Sequence, residues 1–174
     1  MKKISAYEIA LSALSCAMAT LILTVGVYSA VLLFTGYLLA AIALMLPLAK
    51  KSYIGYALAY VATCLLSLMF NVTTIFDLLP FIMFFGLHPF VNELQLNSKI
   101  NRILATALKA LWFDLTAYVI WLTMFRMTAG VPNLDAYIIP IILVVCTAFF
   151  FFYDYVMYKW RRIINGLVKR IIKK

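Results

Sequence analysis

Asp114 lies in the middle of a long apolar run, with Tyr118, Trp121 and Phe125 following it at i+4, i+7 and i+11. On a helix these positions share one face, so the spacing predicts a carboxylate at the foot of an aromatic stripe. An unpaired charge at the centre of a membrane span costs roughly 2.5–3.5 kcal/mol even on lenient insertion scales, so Asp114 needs a function or a partner. In the functional alternative it forms a pocket wall, where rings stack on a small ring-bearing solute and the carboxylate accepts its hydrogen bond. In the structural alternative it is tied to a hydroxyl or to Lys109. Lys109 is five residues away and points to a different face, so the two do not pair along their own helix.

Further polar residues fall at the same end of the apolar runs: Tyr28, Asn71, Thr73, Thr74, Asp77, Arg126, Asn133 and Asp135. Asn71 to Asp77 reads as a helix start with an acidic first turn. Arg126 is the one basic residue on that side, placed to neutralise Asp77 or Asp135 or to capture a carboxylate of a ligand. The candidate substrate-binding set is therefore Asp114, Tyr118, Trp121, Arg126, Asp77, Asn71, Thr74 and Tyr28. At the opposite end, Glu8, Glu93 and Asp154 are expected to form interfacial ion pairs with Lys109 and nearby lysines. His88, beside Pro89, reads as a hydrogen-bonded packing residue. The sequence holds no H-E-x-x-H, G-x-S-x-G or Walker A motif, no Cys/His cluster and no paired carboxylates at helical spacing. The expectation is a protein without catalytic residues, cofactor or metal, unable to hydrolyse ATP by itself.

The elements that must position these residues follow from composition. Of 174 residues, 67% are apolar and 12% charged, and the mean hydropathy is +1.05, which places the chain in a bilayer. Six apolar runs are long enough to cross as helices: Tyr7 to Val25, Tyr28 to Ala49, Tyr53 to Phe70, Thr74 to Val91, Ile103 to Phe125 and Ala136 to Tyr158. Gly26 reads as the first turn. The fourth run is interrupted by Asp77, Pro80, His88 and Pro89. The expected fold is thus all-α, a six-helix transmembrane bundle over residues 1–158. With six spans, every Lys and Arg except Arg126 falls on one side, which makes that side cytoplasmic and puts both termini there. The net charge of +9 is then a topological signal, with no nucleic-acid partner implied. Cys16, Cys64 and Cys146 sit inside apolar runs at unrelated spacings and read as reduced packing residues. Residues 159–174, KWRRIINGLVKRIIKK, pair apolar residues every four positions opposite a basic face. They form a cytoplasmic amphipathic helix expected to hold anionic lipid, with protein docking as the alternative.

The first run carries a second pattern. Ala6, Ala10, Ala13, Ala17, Thr20 and Thr24 recur at 4-3-4-3-4 steps, a seam of small side chains against which another backbone can pack. Six short spans, Ala13-Leu14-Ser15-Cys16-Ala17 in the first helix, and polar residues confined to the outer half resemble the S-components, the substrate-capture subunits of energy-coupling factor transporters. The stretch DLLPFIMFFGLHPFVNELQLNSKINRILATALKALWFDL is also similar to small bacterial membrane proteins of that architecture, from Firmicutes. The resemblance implies a plasma-membrane subunit that captures a vitamin-like solute for an ATP-driven importer, with Ala6, Ala10, Ala13 and Ala17 docking on a transmembrane coupling subunit that engages two ATPases. It departs from that family in having no long loop after the first helix, so a lid must come from Asn71 to Thr74 or Met127 to Ala136. A non-enzymatic scaffold of the rod-shape, wall-elongation type shares the general build and is the alternative function. A lipid-modifying enzyme would need more than Glu93, His88 and Lys109.

Overall fold

In the computed structural model, which describes residues 5–29, 31–125 and 139–172, the described parts of the long apolar runs are mostly helical and no strand occurs among the described residues. The elements are α1 (Ala6–Tyr28), α2 (Leu33–Leu48), α3 (Tyr53–Phe70), α4 (His88–Asn97), α5 (Arg102–Ile120) and α6 (Thr147–Ile172). A 3₁₀ segment, Val72–Leu78, and a π segment, Phe81–Phe85, separate α3 from α4. Two more π segments, Trp121–Phe125 and Ile142–Cys146, follow α5 and precede α6. The chain divides into one unit of residues 1–94 and 157–174 and a second of residues 95–156.

In the first unit, local chemistry sets where each helix begins and ends. Ser5 and Glu8 form a reciprocal capping box: the Ser5 hydroxyl accepts the Glu8 amide, and the Glu8 carboxylate accepts the Ser5 amide at 2.8 Å. Glu8 is thereby occupied in starting α1. Pro47 lies in the last turn of α2, and Lys51, with φ of 56°, reverses the chain into α3. α1 and α2 cross with almost no side chain between them, since a Cβ added to Gly36 would stand 3.1 Å from the Gly26 Cα. Gly26 is therefore a contact inside α1 and not the expected turn, which falls after Tyr28. α3 meets α1 through a small side chain: a Cβ on Gly55 would stand 2.5 Å from the Ser12 hydroxyl. This is the small-residue packing by which helices associate in lipid, where no hydrophobic force drives them together.

Beyond α3 the fourth run is broken. The 3₁₀ segment and the helix from Phe81 to Asn97 meet at a 49° bend around Pro80, which lacks the N–H to continue the ladder. The bend is held from outside. Tyr37 donates to the Asp77 carbonyl, Tyr60 to the Ile82 carbonyl at 2.6 Å and Tyr56 to the Gly86 carbonyl. His88 is fully buried with its ring 5.3 Å from that of Phe84. The end of α6 also belongs to this unit: Met157, Ile164 and Val168 are buried, and Arg161 donates to the buried Glu93 carboxylate. α6 passes Lys159 without a break, so the basic tail continues the last helix.

In the second unit, Phe113 of α5 packs on Phe149 and Phe150 of α6 with centroids 6.0 and 6.1 Å apart. One turn below, Lys109 Nζ donates to Asp154 Oδ1 at 2.7 Å. Asn101 caps α5 by accepting the Ile103 amide at 3.0 Å.

Among the described residues, four helices are long and apolar enough to cross a membrane: Ala6–Tyr28, Tyr53–Phe70, Arg102–Thr123 and Ile139–Arg170. The bent pair Val72–Leu78 and Phe81–Asn97 makes a fifth if it counts as one span. α2, at 16 residues, extends about 24 Å, less than the roughly 30 Å of a hydrocarbon core. The described helices are compatible with a membrane protein, with four candidate spans among the described residues where the sequence predicts six.

Candidate functional site

The small-residue seam of α1 is the feature that the structure resolves most sharply. Ala6, Ala10, Ala13 and Ala17 are exposed, Thr20 is buried and Thr24 is half-buried. The inward face of α1 is instead Ser12, Ser15, Cys16, Ala19, Thr20, Leu23, Gly26 and Val27, centred roughly 100° round the helix from the seam. The seam thus occupies a shoulder of the helix. Its lower half looks outward and its upper end turns in, since Thr20 lies at the edge of the inward face. Ala13 and Ala17 line a groove of about 430 Å³ whose far wall is Gly55, Leu58, Ala59 and Ala62 of α3. Its floor is made of small residues, while Ile9 of α1 and Leu58 and Leu66 of α3 stand at its walls. A second groove, of about 320 Å³, is lined by the crossing glycines Gly26 and Gly36 together with Leu21, Val25, Leu32 and Leu39.

The eight candidate substrate-binding residues divide between the two units. Tyr28, Asn71, Thr74 and Asp77 belong to the first unit, and Asp114, Tyr118 and Trp121 to the second. Arg126 lies outside the described residues, as do Asn133 and Asp135. In the first unit, Tyr28 is exposed and its hydroxyl donates to the Phe70 carbonyl at 3.3 Å. Asn71 is fully buried and does not cap a following helix as the sequence suggests; its Nδ2 donates back to the Ser67 carbonyl at 2.7 Å and closes the end of α3. Asp77 sits near the end of the 3₁₀ segment and not in a first turn. Thr74 has non-helical backbone angles, and its amide donates to the Asn71 carbonyl at 3.1 Å.

In the second unit, Asp114 is 7% exposed, while Tyr118 and Trp121 are half-buried beyond it on α5. The Thr147 hydroxyl donates to Asp114 Oδ2 at 2.8 Å, while Oδ1 is buried with no hydrogen-bond partner among the described residues. The tie to a hydroxyl weighed from the sequence is present, on one oxygen only. The other partner considered, Lys109, is bound to Asp154. Thr147 immediately follows the π segment Ile142–Cys146; such segments are frequent at functional positions because they interrupt the regular ladder.

Two residues that sequence reasoning passes over share the environment of Asn71. Thr63 and Ser67 are 0% and 1% exposed, on the inward face of α3. The signal is the spacing Thr63, Ser67, Asn71, a polar line at i, i+4 and i+8 within an apolar run. Asp154 and Glu93, expected at ion pairs, are found in them. No group of three or more His, Cys, Asp or Glu able to hold a metal occurs among the described residues. Cys16, Cys64 and Cys146 are free thiols. Compared with protein-family models, curated proteins and solved structures, the chain matches none.

Proposed function

We propose that this protein is the solute-capture subunit of an ATP-driven micronutrient importer, multi-pass in the plasma membrane with both termini cytoplasmic. It binds its solute by itself and relies on a separate transmembrane coupling subunit and ATPase subunits for energy. The observation that carries this reading is the outward-facing run of Ala6, Ala10, Ala13 and Ala17 and the groove beside it. A helix face stripped of bulk gains nothing from contact with mobile acyl chains, whereas a rigid partner helix can approach its backbone closely. The proposed solute contacts are, within the second unit, Asp114 with Tyr118 and Trp121, and, separately within the first, the polar residues at the end of α3. The basic end of α6 anchors the cytoplasmic side on anionic lipid.

Bulky substitutions on the two faces of α1 test the docking. Ala13→Trp and Ala17→Trp enlarge exposed positions, so the isolated protein keeps its stability within about 0.5 kcal/mol. Ala19→Trp, at a position with no exposure, overpacks the interior and costs about 1–3 kcal/mol. Tagged protein is then purified from its host membranes, and co-purifying membrane proteins and ATPases are identified by mass spectrometry. The expected result is loss of those partners from the Ala13 and Ala17 variants. Partners that survive the tryptophans, or a large loss of stability at Ala13 or Ala17, overturn the proposal.

A further inference from the structure

Five buried side-chain oxygens of the first unit have no hydrogen-bond partner among the described residues: Thr20 Oγ1, Thr63 Oγ1, Ser67 Oγ, Asn71 Oδ1 and Thr74 Oγ1. Thr20, Thr63, Ser67 and Asn71 are themselves no more than 5% exposed. Folded proteins bury few such groups, and in a bilayer no bulk water is at hand to satisfy them. That five fall in one unit calls for a cause.

Their placement supplies it. Thr63, Ser67 and Asn71 stand at i, i+4 and i+8 on one face of α3, and the hydrogen bond from the Thr74 amide to the Asn71 carbonyl folds Thr74 back toward the end of that line. α1 runs beside α3 in the same direction, held at one end by Ser12 against Gly55 and at the other by Tyr28 on the Phe70 carbonyl. Stepping up four residues at a time from Ser12 and Gly55 brings Thr20 level with Thr63. The five oxygens therefore follow the upper half of α3, with Thr20 of α1 level with Thr63 and Thr74 just past the helix end. The row consists of four hydroxyls, which donate or accept, and an amide oxygen, which accepts. No ionisable side chain belongs to it.

We propose that this row is a binding site for a small, uncharged solute that carries both hydrogen-bond donors and acceptors. The solute supplies the partners that the protein lacks, and a charged one is excluded because nothing in the row compensates its desolvation. The inference names a solute class for the first unit and does not depend on a coupling subunit.

Substituted-cysteine labelling of the full-length protein tests it. In a background where Cys16, Cys64 and Cys146 are alanine, Ser67→Cys replaces a hydroxyl by a thiol with little change of shape, and Thr63→Cys serves as a second variant in the same row. The probes are methanethiosulfonates with carbamoylethyl, sulfonatoethyl, trimethylammonioethyl and propyl arms. Ser98→Cys, at an exposed position, reports that all four are active. The expected result is modification of Ser67→Cys by the carbamoylethyl reagent roughly 100-fold faster than by either charged one, the factor set by the cost of a charge inside a membrane. Its rate also equals or exceeds that of the propyl reagent. Faster reaction with propyl marks an apolar leak, equal rates with the charged reagents mark an aqueous path, and no reaction at either row position marks a closed core or one filled by water alone. Each of these overturns the proposal.

Discussion

Replacing Asp154 by Asn should destabilise the protein more than deleting the lysine that Asp154 holds. In the Lys109–Asp154 pair the atoms are 2.7 Å apart, but the two side chains are unequally placed, with 4% exposure for the lysine and 23% for the aspartate. Asp154→Asn keeps the shape and removes the charge, so the ammonium is left in a nearly dry site against the ring of Phe150, 6.0 Å away. Breaking a buried pair in this way costs about 3–5 kcal/mol. Lys109→Met removes the deeply buried charge itself, and the aspartate that remains is close enough to solvent to recover hydration; about 1–3 kcal/mol is lost. The double variant Lys109→Met, Asp154→Leu replaces the pair by apolar volume and should return to within about 1 kcal/mol of the parent. Thermal unfolding in mild detergent reads these differences. For a chain of this size each kcal/mol corresponds to about 2–4 °C, so Asp154→Asn should fall by roughly 6–20 °C. A loss at Lys109→Met equal to that at Asp154→Asn, or additive losses in the double variant, would refute the reasoning from burial.

Two further outcomes follow from the packing. Gly36→Leu must push α2 away from the Gly26 backbone and should cost about 1–3 kcal/mol, whereas Gly166→Ala, with nothing within 4 Å of its added Cβ, should gain about 0.5–1 kcal/mol. Equal effects at the two glycines in the same unfolding assay would contradict the close crossing. Thr147→Val strips Asp114 of its hydroxyl donor and should cost about 1.5–3 kcal/mol, and Asp114→Asn in that background should recover part of the loss. An unchanged melting temperature in Thr147→Val would show that Asp114 does not depend on the bond.

The sequence carries some of this architecture and hides the rest for identifiable reasons. The run Tyr53 to Phe70 coincides with α3, because Ser52 and Asn71 bound an uninterrupted apolar stretch. α1 extends one residue before and three residues past its apolar run, through Gly26, which hydropathy reads as a break. A glycine inside a helix can instead admit a neighbouring backbone; here the missing side chain is what admits Gly36, and that contact joins residues ten apart across a turn. The fourth run was readable as interrupted at Pro80, but its division into 3₁₀ and π segments depends on tyrosine hydroxyls from α2 and α3. Asp114 was legible because a charge stands out in an apolar run. Thr63 and Ser67 were not, since hydroxyl side chains scarcely lower hydropathy and their lack of partners becomes visible only when the neighbouring helix is in place.

The shape of α1 has a mechanical consequence. Alanine has no side-chain rotamers, so the exposed Ala6, Ala10, Ala13 and Ala17 offer a neighbour no side chain that must change conformation when it shifts. Most packed helices interlock through large side chains, and moving one past another means crossing a series of rotamer barriers. A partner resting on this face would instead meet a nearly smooth bearing. The same stripe turns inward at its upper end, where Thr20 belongs to the unpartnered row, so a small displacement of α1 also moves Thr20 relative to α3. Sliding along the lower part of the stripe is thus coupled to the spacing at its upper end, through one face of a single helix.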